Sequence, residues 1–161
     1  MQIFVMRHGQ AQIAAATDAQ RALTAKGVNE AIATGRWLSK NAAQFDCVFV
    51  SPYLRAQQTA DAVISELSGV GERQSLSIIT PDDSAQAVHD YLDGVFAEQS
   101  YQRILIVSHM PLVSYLVAQL TSDNTMPIFA TAAVAQIDYN LQSMQGTFVG
   151  LVSPETISTN G

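Results

Sequence analysis

Short apolar runs alternate with longer segments of helical periodicity along most of this chain. That alternation limits the fold more than any other feature, because it is typical of βαβ units around a largely parallel sheet. It predicts an α/β fold, a three-layer sandwich with helices on both faces of a mostly parallel central sheet. Near the carboxyl terminus, residues 132–139 and 147–152 flank a turn at 142–146, which predicts an antiparallel hairpin at the sheet edge.

The bounds of the elements follow from apolar periodicity and from capping residues. We predict strands at 3–6, 47–50, 76–79 and 103–107, with a polar loop at 69–75. We predict helices at 24–41, 53–68, 84–98 and 111–121, with Thr24 and Ser84 as amino-terminal caps and Gly69 closing the second helix. The expected buried stripes are Val28, Ile32, Gly35 and Leu38 on the first helix and Ala56, Ala60, Val63 and Leu67 on the second.

Composition indicates one compact domain over residues 1–161. A chain with 48% hydrophobic and only 14% charged residues does not resemble a disordered protein. Its net charge is −6 and its eight basic residues are scattered, so we expect no nucleic-acid partner. The single cysteine, Cys47, falls in an apolar run, where a small buried residue without a redox role is expected.

The amino terminus enters a strand at once and lacks the basic and apolar segments of a signal peptide, so we expect a cytoplasmic protein. The least polar stretches, residues 111–120 and 127–137, are shorter than the ~20 residues that span a bilayer. We therefore expect no membrane partner.

Basic side chains follow two of the predicted strands at the point where each strand ends. Arg7 and His8 come after the first strand, and Ser108 and His109 come after the fourth. The carboxyl ends of parallel strands share one edge of the sheet, where ligands bind in such folds. Ser51 follows the second strand and Arg55 lies one turn into the next helix, so we predict that all of these residues share one pocket.

Two imidazoles and two guanidiniums around one point suit a phosphoryl group, because guanidinium forks match phosphate oxygens. A neutral imidazole can also attack phosphorus and hold the group covalently. We expect no cofactor and no metal, since no His or Cys pair has the close spacing of zinc ligands and no glycine-rich nucleotide loop is present. His89 lies within a predicted helix and is interpreted as a structural residue.

These residues resemble the histidine phosphatase superfamily, whose hallmark is an Arg-His-Gly triplet after the first strand and a second histidine after a later one. Residues 1–11, 21–27, 51–59 and 108–120 resemble the SixA phosphohistidine phosphatases within it. The resemblance implies that His8 is the phosphate-accepting nucleophile. It implies that Arg7, Arg21 and Arg55 bind phosphate and that His109 supports the transition state. Arg21 enters through the resemblance alone, and Ser108 is included as a further phosphate-binding candidate.

Members that act on phosphate esters commonly supply a carboxylic acid for the leaving alkoxide, whereas Met110 follows His109 here. Asp82 and Asp83 lie at the correct sheet edge, although a turn and helix-start role is favoured for both. An acid-poor pocket suits phosphohistidine, because a protonated imidazole leaves readily.

The sequence therefore predicts a phosphohistidine phosphatase acting on a phosphotransfer domain or phosphocarrier protein through phosphorylated His8. Two alternatives are a small-molecule phosphomonoesterase using Asp82 or Asp83 as its acid, and a noncatalytic phosphoprotein-binding module.

Overall fold

Side chains of the central strands alternate between two faces of one sheet, and each face is covered by its own helices. The computed structural model describes residues 1–42 and 44–160. Its strands are β1 (Gln2–Arg7), β2 (Phe45–Val50), β3 (Val70–Ser75), β4 (Arg103–Ser108), β5 (Val134–Asn140) and β6 (Gln145–Val152). Its helices are α1 (Ala25–Asn41), α2 (Leu54–Glu66), α3 (Ala85–Glu98), α4 (Leu112–Leu120) and α5 (Pro154–Asn160), with a short 3-10 turn at Asp18–Gln20.

The sheet has the strand order β3-β2-β4-β1-β5-β6, in which β1 to β4 are parallel and β5 and β6 are antiparallel. On one face, α1 and α2 pack against side chains such as Phe4 and Val48. On the other face, α3 and α4 pack against side chains such as Ile3 and Phe49. The predicted three-layer α/β fold with an antiparallel carboxyl-terminal edge is confirmed. No helix among the described residues is long and apolar enough to cross a membrane.

The register of the parallel strands brings their carboxyl ends level. Arg7 of β1 lies opposite Ser108 of β4, and Val50 of β2 lies opposite Val107 of β4. The ladder continues one residue beyond these pairs, since the His8 N–H donates to the Ser108 carbonyl at 3.0 Å. The residues that follow β1, β2 and β4 therefore start from one short stretch of the sheet edge.

The third strand was predicted in the wrong place. The polar segment predicted as a loop forms β3 (Val70–Ser75), whereas the apolar residues 76–79 form a turn whose Ile79 side chain enters the core. β3 lies at the edge of the sheet and pairs only with β2, so most of its side chains are exposed and need not be apolar. Apolar periodicity carries no signal for such a strand.

Smaller differences concern the helices. Thr24 and Ser84 cap α1 and α3 as predicted, each accepting a hydrogen bond from a backbone N–H in the first turn. The α1 stripe is shifted, because Val28 is exposed and small residues such as Gly27 and Ala31 are buried instead. Helix α2 ends at Glu66 with an extended Leu67, so Gly69 does not close it in a left-handed conformation. Helix α5 was not predicted.

Two glycines allow the segment after β1 to cross the first turn of α1. A Cβ on Gly27 would lie 2.0 Å from the Gln10 carbonyl oxygen, and a Cβ on Gly9 would lie 2.4 Å from the Gly27 carbonyl oxygen. The contact is fixed further by the Thr24 N–H, which donates to the Gln10 carbonyl at 3.0 Å. The first turn of α1 therefore serves as the platform for the residues that follow His8.

Replacing Gly27 by alanine is expected to destabilise the fold by about 3 kcal/mol, because the new methyl group would overlap the backbone of Gln10 and force it to shift. Gly94→Ala is the matched control, since Gly94 also lies in a helix but a Cβ there meets nothing within 4 Å. That control is expected to gain ~0.5–1 kcal/mol from helix propensity. Urea denaturation of both variants measures the difference, and equal stabilities would contradict the close approach.

Candidate active site

The two histidines that follow β1 and β4 lie side by side at the sheet edge. The ring centroids of His8 and His109 are 5.1 Å apart with an interplanar angle of 60°, and both residues are buried. The structure thus brings together the two imidazoles that the sequence analysis assigned to one pocket. Tyr53 closes a second edge of the His109 ring, with its centroid 5.1 Å away.

The hydrogen bonds of His8 indicate which ring nitrogen is free to react. Its Nδ1 lies 2.6 Å from the Gly9 carbonyl oxygen, which can only accept, so Nδ1 carries the proton. Its Nε2 lies 3.3 Å from the Nε–H of Arg55, which can only donate. Both contacts assign the same tautomer, with an Nε2 lone pair on the side of the Arg55 guanidinium.

Arg55 is buried and is held by a residue that the sequence analysis did not identify. Its guanidinium donates to the Asp18 carbonyl oxygen at 2.6 Å and to the Asp18 carboxylate at 3.0 Å. The same carboxylate accepts from Arg21 Nε at 2.9 Å. Asp18 therefore links two of the three candidate phosphate-binding arginines, and hydrogen bonding to Arg55 holds the pKa of its carboxyl below the usual value.

Arg7 and Arg21 are anchored through backbone carbonyls, which leaves part of each guanidinium uncommitted. Arg7 donates to the Phe129 carbonyl oxygen at 2.8 Å, and Arg21 donates to the Gln12 carbonyl oxygen at 2.9 Å. Within residues 1–42 and 44–160, the buried Nε of Arg7 has no hydrogen-bond partner. A buried donor without a partner costs free energy, so this N–H is open to an oxygen atom of a ligand or of water.

His109 carries a second uncommitted atom. Its Nε2 lies 2.7 Å from the Ser51 hydroxyl, which also accepts from the Tyr53 N–H at 3.3 Å. If that hydroxyl donates to Nε2, the His109 proton lies on Nδ1. The Nδ1 atom is buried and has no partner within the described part of the chain. In this tautomer the Nδ1–H of His109 can donate to a ligand. In the other tautomer Nδ1 would be an acceptor, and the Ser51 hydroxyl could not donate to Nε2.

Arg7, His8, Asp18, Arg21 and Arg55 line a cavity of about 400 Å³, called here the edge cavity, whereas His109 packs against His8 and is not among the lining residues. Its lining residues are Arg7, His8, Gln10, Ala11, Asp18, Arg21, Arg55, Pro81, Met110 and Thr131. Three arginines face one carboxylate, so the edge cavity has an excess of positive charge. It therefore suits a phosphate-sized anion.

Asp82 and Asp83 are not among the residues that line the edge cavity. The carboxylate of Asp83 accepts from the Thr80 N–H at 2.7 Å and from the Thr80 hydroxyl at 2.5 Å, which is a turn-stabilising role. Asp82 is exposed. The one carboxylate among the described lining residues is Asp18, and its lowered pKa makes it a poor proton donor.

The candidate Ser108, and the residues His89 and Cys47 that were expected to be structural, lie in other surroundings. Ser108 is buried and donates to the Ile79 carbonyl oxygen at 2.8 Å, so its hydroxyl holds residues 76–79 and does not line the edge cavity. His89 is hydrogen-bonded to Tyr139 and Gln119 within the α3 and α4 side of the core. Cys47 is fully buried. Across residues 1–42 and 44–160, no group of three His, Cys, Asp or Glu side chains could hold a metal ion.

Asp18, Ser51 and Thr59 support the site, and sequence reasoning assigned a role to none of them. Thr59 accepts from the Gly9 N–H at 3.0 Å and donates to the Arg55 carbonyl oxygen at 2.7 Å. Ser51 was expected at this sheet edge because it directly follows a strand, but its hydrogen bond to His109 was not predicted. Asp18 lies on an exposed turn, where only the folded chain reveals its arginine partners.

Comparison with known proteins agrees with this geometry. The family described as "Histidine phosphatase superfamily (branch 1)" matches residues 3–77. The phosphohistidine phosphatase SixA of Escherichia coli (strain K12) is 38% identical over 154 residues, covering 96% of this chain and 94% of its own. The chain belongs to the histidine phosphatase superfamily.

Two further relatives of this histidine phosphatase support the assignment. The SixA homologue of Haemophilus influenzae is 37% identical and covers 85% of this chain and 87% of its own. The solved structure of the protein histidine phosphatase SixA complexed with tungstate has a TM-score of 0.92 and 38% identity. It covers 98% of this chain and 99% of its own. The resemblance drawn from the sequence is confirmed.

Protonation of His8 and His109, the two histidines at the sheet edge of this histidine phosphatase, is strongly unfavourable. Burial is the largest cause and neighbouring positive charge adds to it, so the pKa of His8 is lowered to about 4 and that of His109 to about 3. In the case of His8 the charge comes from Arg55, Arg7 and Arg21. The imidazoles are therefore neutral at physiological pH, and His8 Nε2 carries no proton, its lone pair accepting only the long 3.3 Å hydrogen bond from Arg55.

An NMR titration of the imidazole resonances is expected to show His8 and His109 in their neutral forms down to about pH 5, below the ordinary value of about 6.5. The unfolded chain binds protons at these positions below pH 6.5, whereas the folded chain does not. Stability present above pH 6.5 is therefore lost as the pH falls toward 4. A midpoint near 6.5 for either ring would contradict its burial among cations, and a His8→Ala spectrum assigns the resonances.

Proposed function

We propose that this protein hydrolyses phosphohistidine on a partner protein through a phosphorylated His8 intermediate. The observation that carries the proposal is the Nε2 lone pair of His8, held beside Arg55 in a cavity that is rich in guanidiniums and poor in acids. The SixA relatives named above support the substrate class. Tungstate, present in one SixA structure, is a tetrahedral oxyanion like phosphate.

In the first step, His8 Nε2 attacks the phosphorus atom and a new N–P bond forms as the N–P bond of the substrate breaks. The substrate imidazole leaves as a neutral ring after taking a proton from water. Arg7, Arg21 and Arg55 bind the phosphoryl oxygens, whose charge is spread over the transferring group in the transition state. His8 needs no general base, because its attacking nitrogen is already unprotonated.

In the second step, water attacks the phosphorus atom of phospho-His8, and the N–P bond breaks with its electron pair returning to His8 Nε2. Inorganic phosphate is released, and the proton lost by the attacking water neutralises the hydroxide formed in the first step. The Nδ1–H of His109 is the donor for a phosphoryl oxygen in both steps, which gives its unpartnered buried atom a ligand. Ser51 keeps the ring in that orientation by donating to Nε2.

The absence of a proton donor among the described lining residues favours a nitrogen leaving group. An alkoxide has a high proton affinity and leaves poorly without an acid, whereas imidazole leaves as a stable neutral ring. Transfer between two imidazoles is also nearly balanced in energy. We infer that the partner is a phosphotransfer domain or a phosphocarrier protein, whose exposed phosphohistidine enters the edge cavity.

The phosphomonoesterase alternative is not favoured, because Asp83 is engaged by Thr80 and Asp82 does not line the edge cavity. The noncatalytic binding alternative is also not favoured. A noncatalytic protein would need only the arginines to bind the phosphoryl group. In this chain the hydrogen bonds of His8 also leave its Nε2 unprotonated, as a nucleophile requires.

Replacing His8 by alanine is expected to abolish turnover and to remove an acid-labile phosphoryl label from the protein. The label is trapped by rapid quenching at alkaline pH and mapped by mass spectrometry. In the wild-type protein it is expected on the peptide that contains His8 and not on those with His89 or His109. Full activity of a folded His8→Ala variant, checked by circular dichroism, would show that another group accepts the phosphate.

Substrate class is tested by comparing kcat/KM for free phosphohistidine with that for a sugar phosphate. We expect kcat/KM to be at least about a hundredfold higher for phosphohistidine. General acid catalysis typically accelerates a reaction by about that factor, and the ester would react here without it. Equal rates would favour an esterase. Repeating the comparison with Asp83→Asn shows whether that carboxyl contributes, and no change is expected.

A further inference from the structure

The two most exposed large apolar side chains of the described residues lie on loops that border the edge cavity. Ile13 is 95% exposed and Ile128 is 84% exposed. Single exposed apolar residues are common on protein surfaces, but each of these two lies within three residues of one that lines the edge cavity, Ala11 and Thr131 respectively. Exposed apolar groups beside a ligand cavity mark an interaction site. We propose that these two loops form the surface on which the phosphohistidine protein docks, an inference that rests on the proposed function.

The first loop continues directly from the edge cavity. Residues 13–16 are all apolar and exposed, and with Asp18 and Arg21 they line a neighbouring hollow of about 440 Å³. Asp18 and Arg21 also line the edge cavity, so the two hollows are adjacent. The loop is anchored at its start, because Gln12 donates to the Ala22 carbonyl at 2.7 Å and accepts from Arg21.

The second loop is fixed on both sides of the side chain that it displays. The Phe129 carbonyl accepts from Arg7 at 2.8 Å, and the Pro127 carbonyl accepts from Ser114 at 2.5 Å. Phe129 is buried, whereas Ile128 between these anchors and Met126 before them are exposed. Residues 13–16, Met126 and Ile128 together are called the apolar rim.

The occupant of the apolar rim follows from its position. A phosphohistidine side chain is short, so a protein that inserts it into the edge cavity must bring its own surface over the adjoining loops. Residues 12–17 and 125–131 carry no charged side chain, and interface centres are typically depleted of charge. The partner is therefore a folded phosphohistidine protein with an apolar surface around that histidine.

The test compares two substrates with a double variant, Ile13→Ser with Ile128→Ser. One substrate is a histidine phosphotransfer domain phosphorylated with phosphoramidate, and the other is free phosphohistidine. We expect kcat/KM for the phosphorylated domain to fall at least about tenfold, chiefly through a higher KM. A tenfold change corresponds to about 1.4 kcal/mol of binding free energy lost with the two docking side chains. The value for free phosphohistidine is expected to stay within about twofold, because no residue that lines the edge cavity changes.

Val149→Ser is the matched control, because Val149 is 52% exposed on β6 and lines neither hollow. It is expected to behave as the wild type on both substrates. Wild-type kinetics of the double variant on the phosphorylated domain would overturn the docking proposal. An equal loss on both substrates would overturn it as well, since the change would then lie in the edge cavity. Failure of the wild-type protein to hydrolyse free phosphohistidine would instead overturn the proposed function.

Discussion

Parallel pairing of β1 and β2 with β4 is the constraint on which the rest of the site depends. It places Arg7 level with Ser108 and Val50 level with Val107. Residues that are about a hundred positions apart in the chain therefore emerge beside one another at the same depth. A slip of one residue would turn the following side chains to the other face of the sheet. In the β1–β4 pairing it would separate the two imidazoles, and in the β2–β4 pairing it would move Ser51 away from His109.

The charged side chains around His8 and His109 determine the protonation state of the two rings. Burial and the surrounding guanidiniums outweigh the opposing effect of the Asp18 carboxylate on His109, so both rings remain neutral while the cavity as a whole stays cationic. Asp18 reduces the repulsion between Arg21 and Arg55 without reaching His8 by a hydrogen bond. The same set of charges therefore attracts an anion and keeps the nucleophile reactive toward it.

Much of the central architecture could be predicted from the sequence, because strands buried on both faces carry continuous apolar runs. β1 and β4 are of this kind, and with them the positions of His8 and His109 could be inferred. β3 could not, since its edge position removes the need for apolar side chains. The α1 stripe was misassigned because glycine, alanine and threonine fill its tightest contacts, where a pattern of large residues was expected.

Within the site, residues that follow strands could be found, whereas residues that act through tertiary contacts could not. Arg21 came only from the family resemblance, and Asp18 was missed because its two arginine partners come from different segments. Ser108 was assigned to phosphate by its position after a strand, but its hydroxyl faces a carbonyl on the neighbouring turn. Position at a sheet edge thus predicts proximity to a site without predicting where a hydroxyl points.

The hydroxyl of Thr59 has a mechanical consequence. It accepts from the backbone of Gly9 and donates to the backbone of Arg55, so one oxygen atom fastens the nucleophile-bearing turn to the first turn of α2. The turn and the helix are therefore tied to each other directly, and the 3.3 Å separation of the Arg55 guanidinium from His8 Nε2 does not depend on the distant core alone. In-line attack at phosphorus is sensitive to such spacing, so this side chain acts on a distance that the reaction requires.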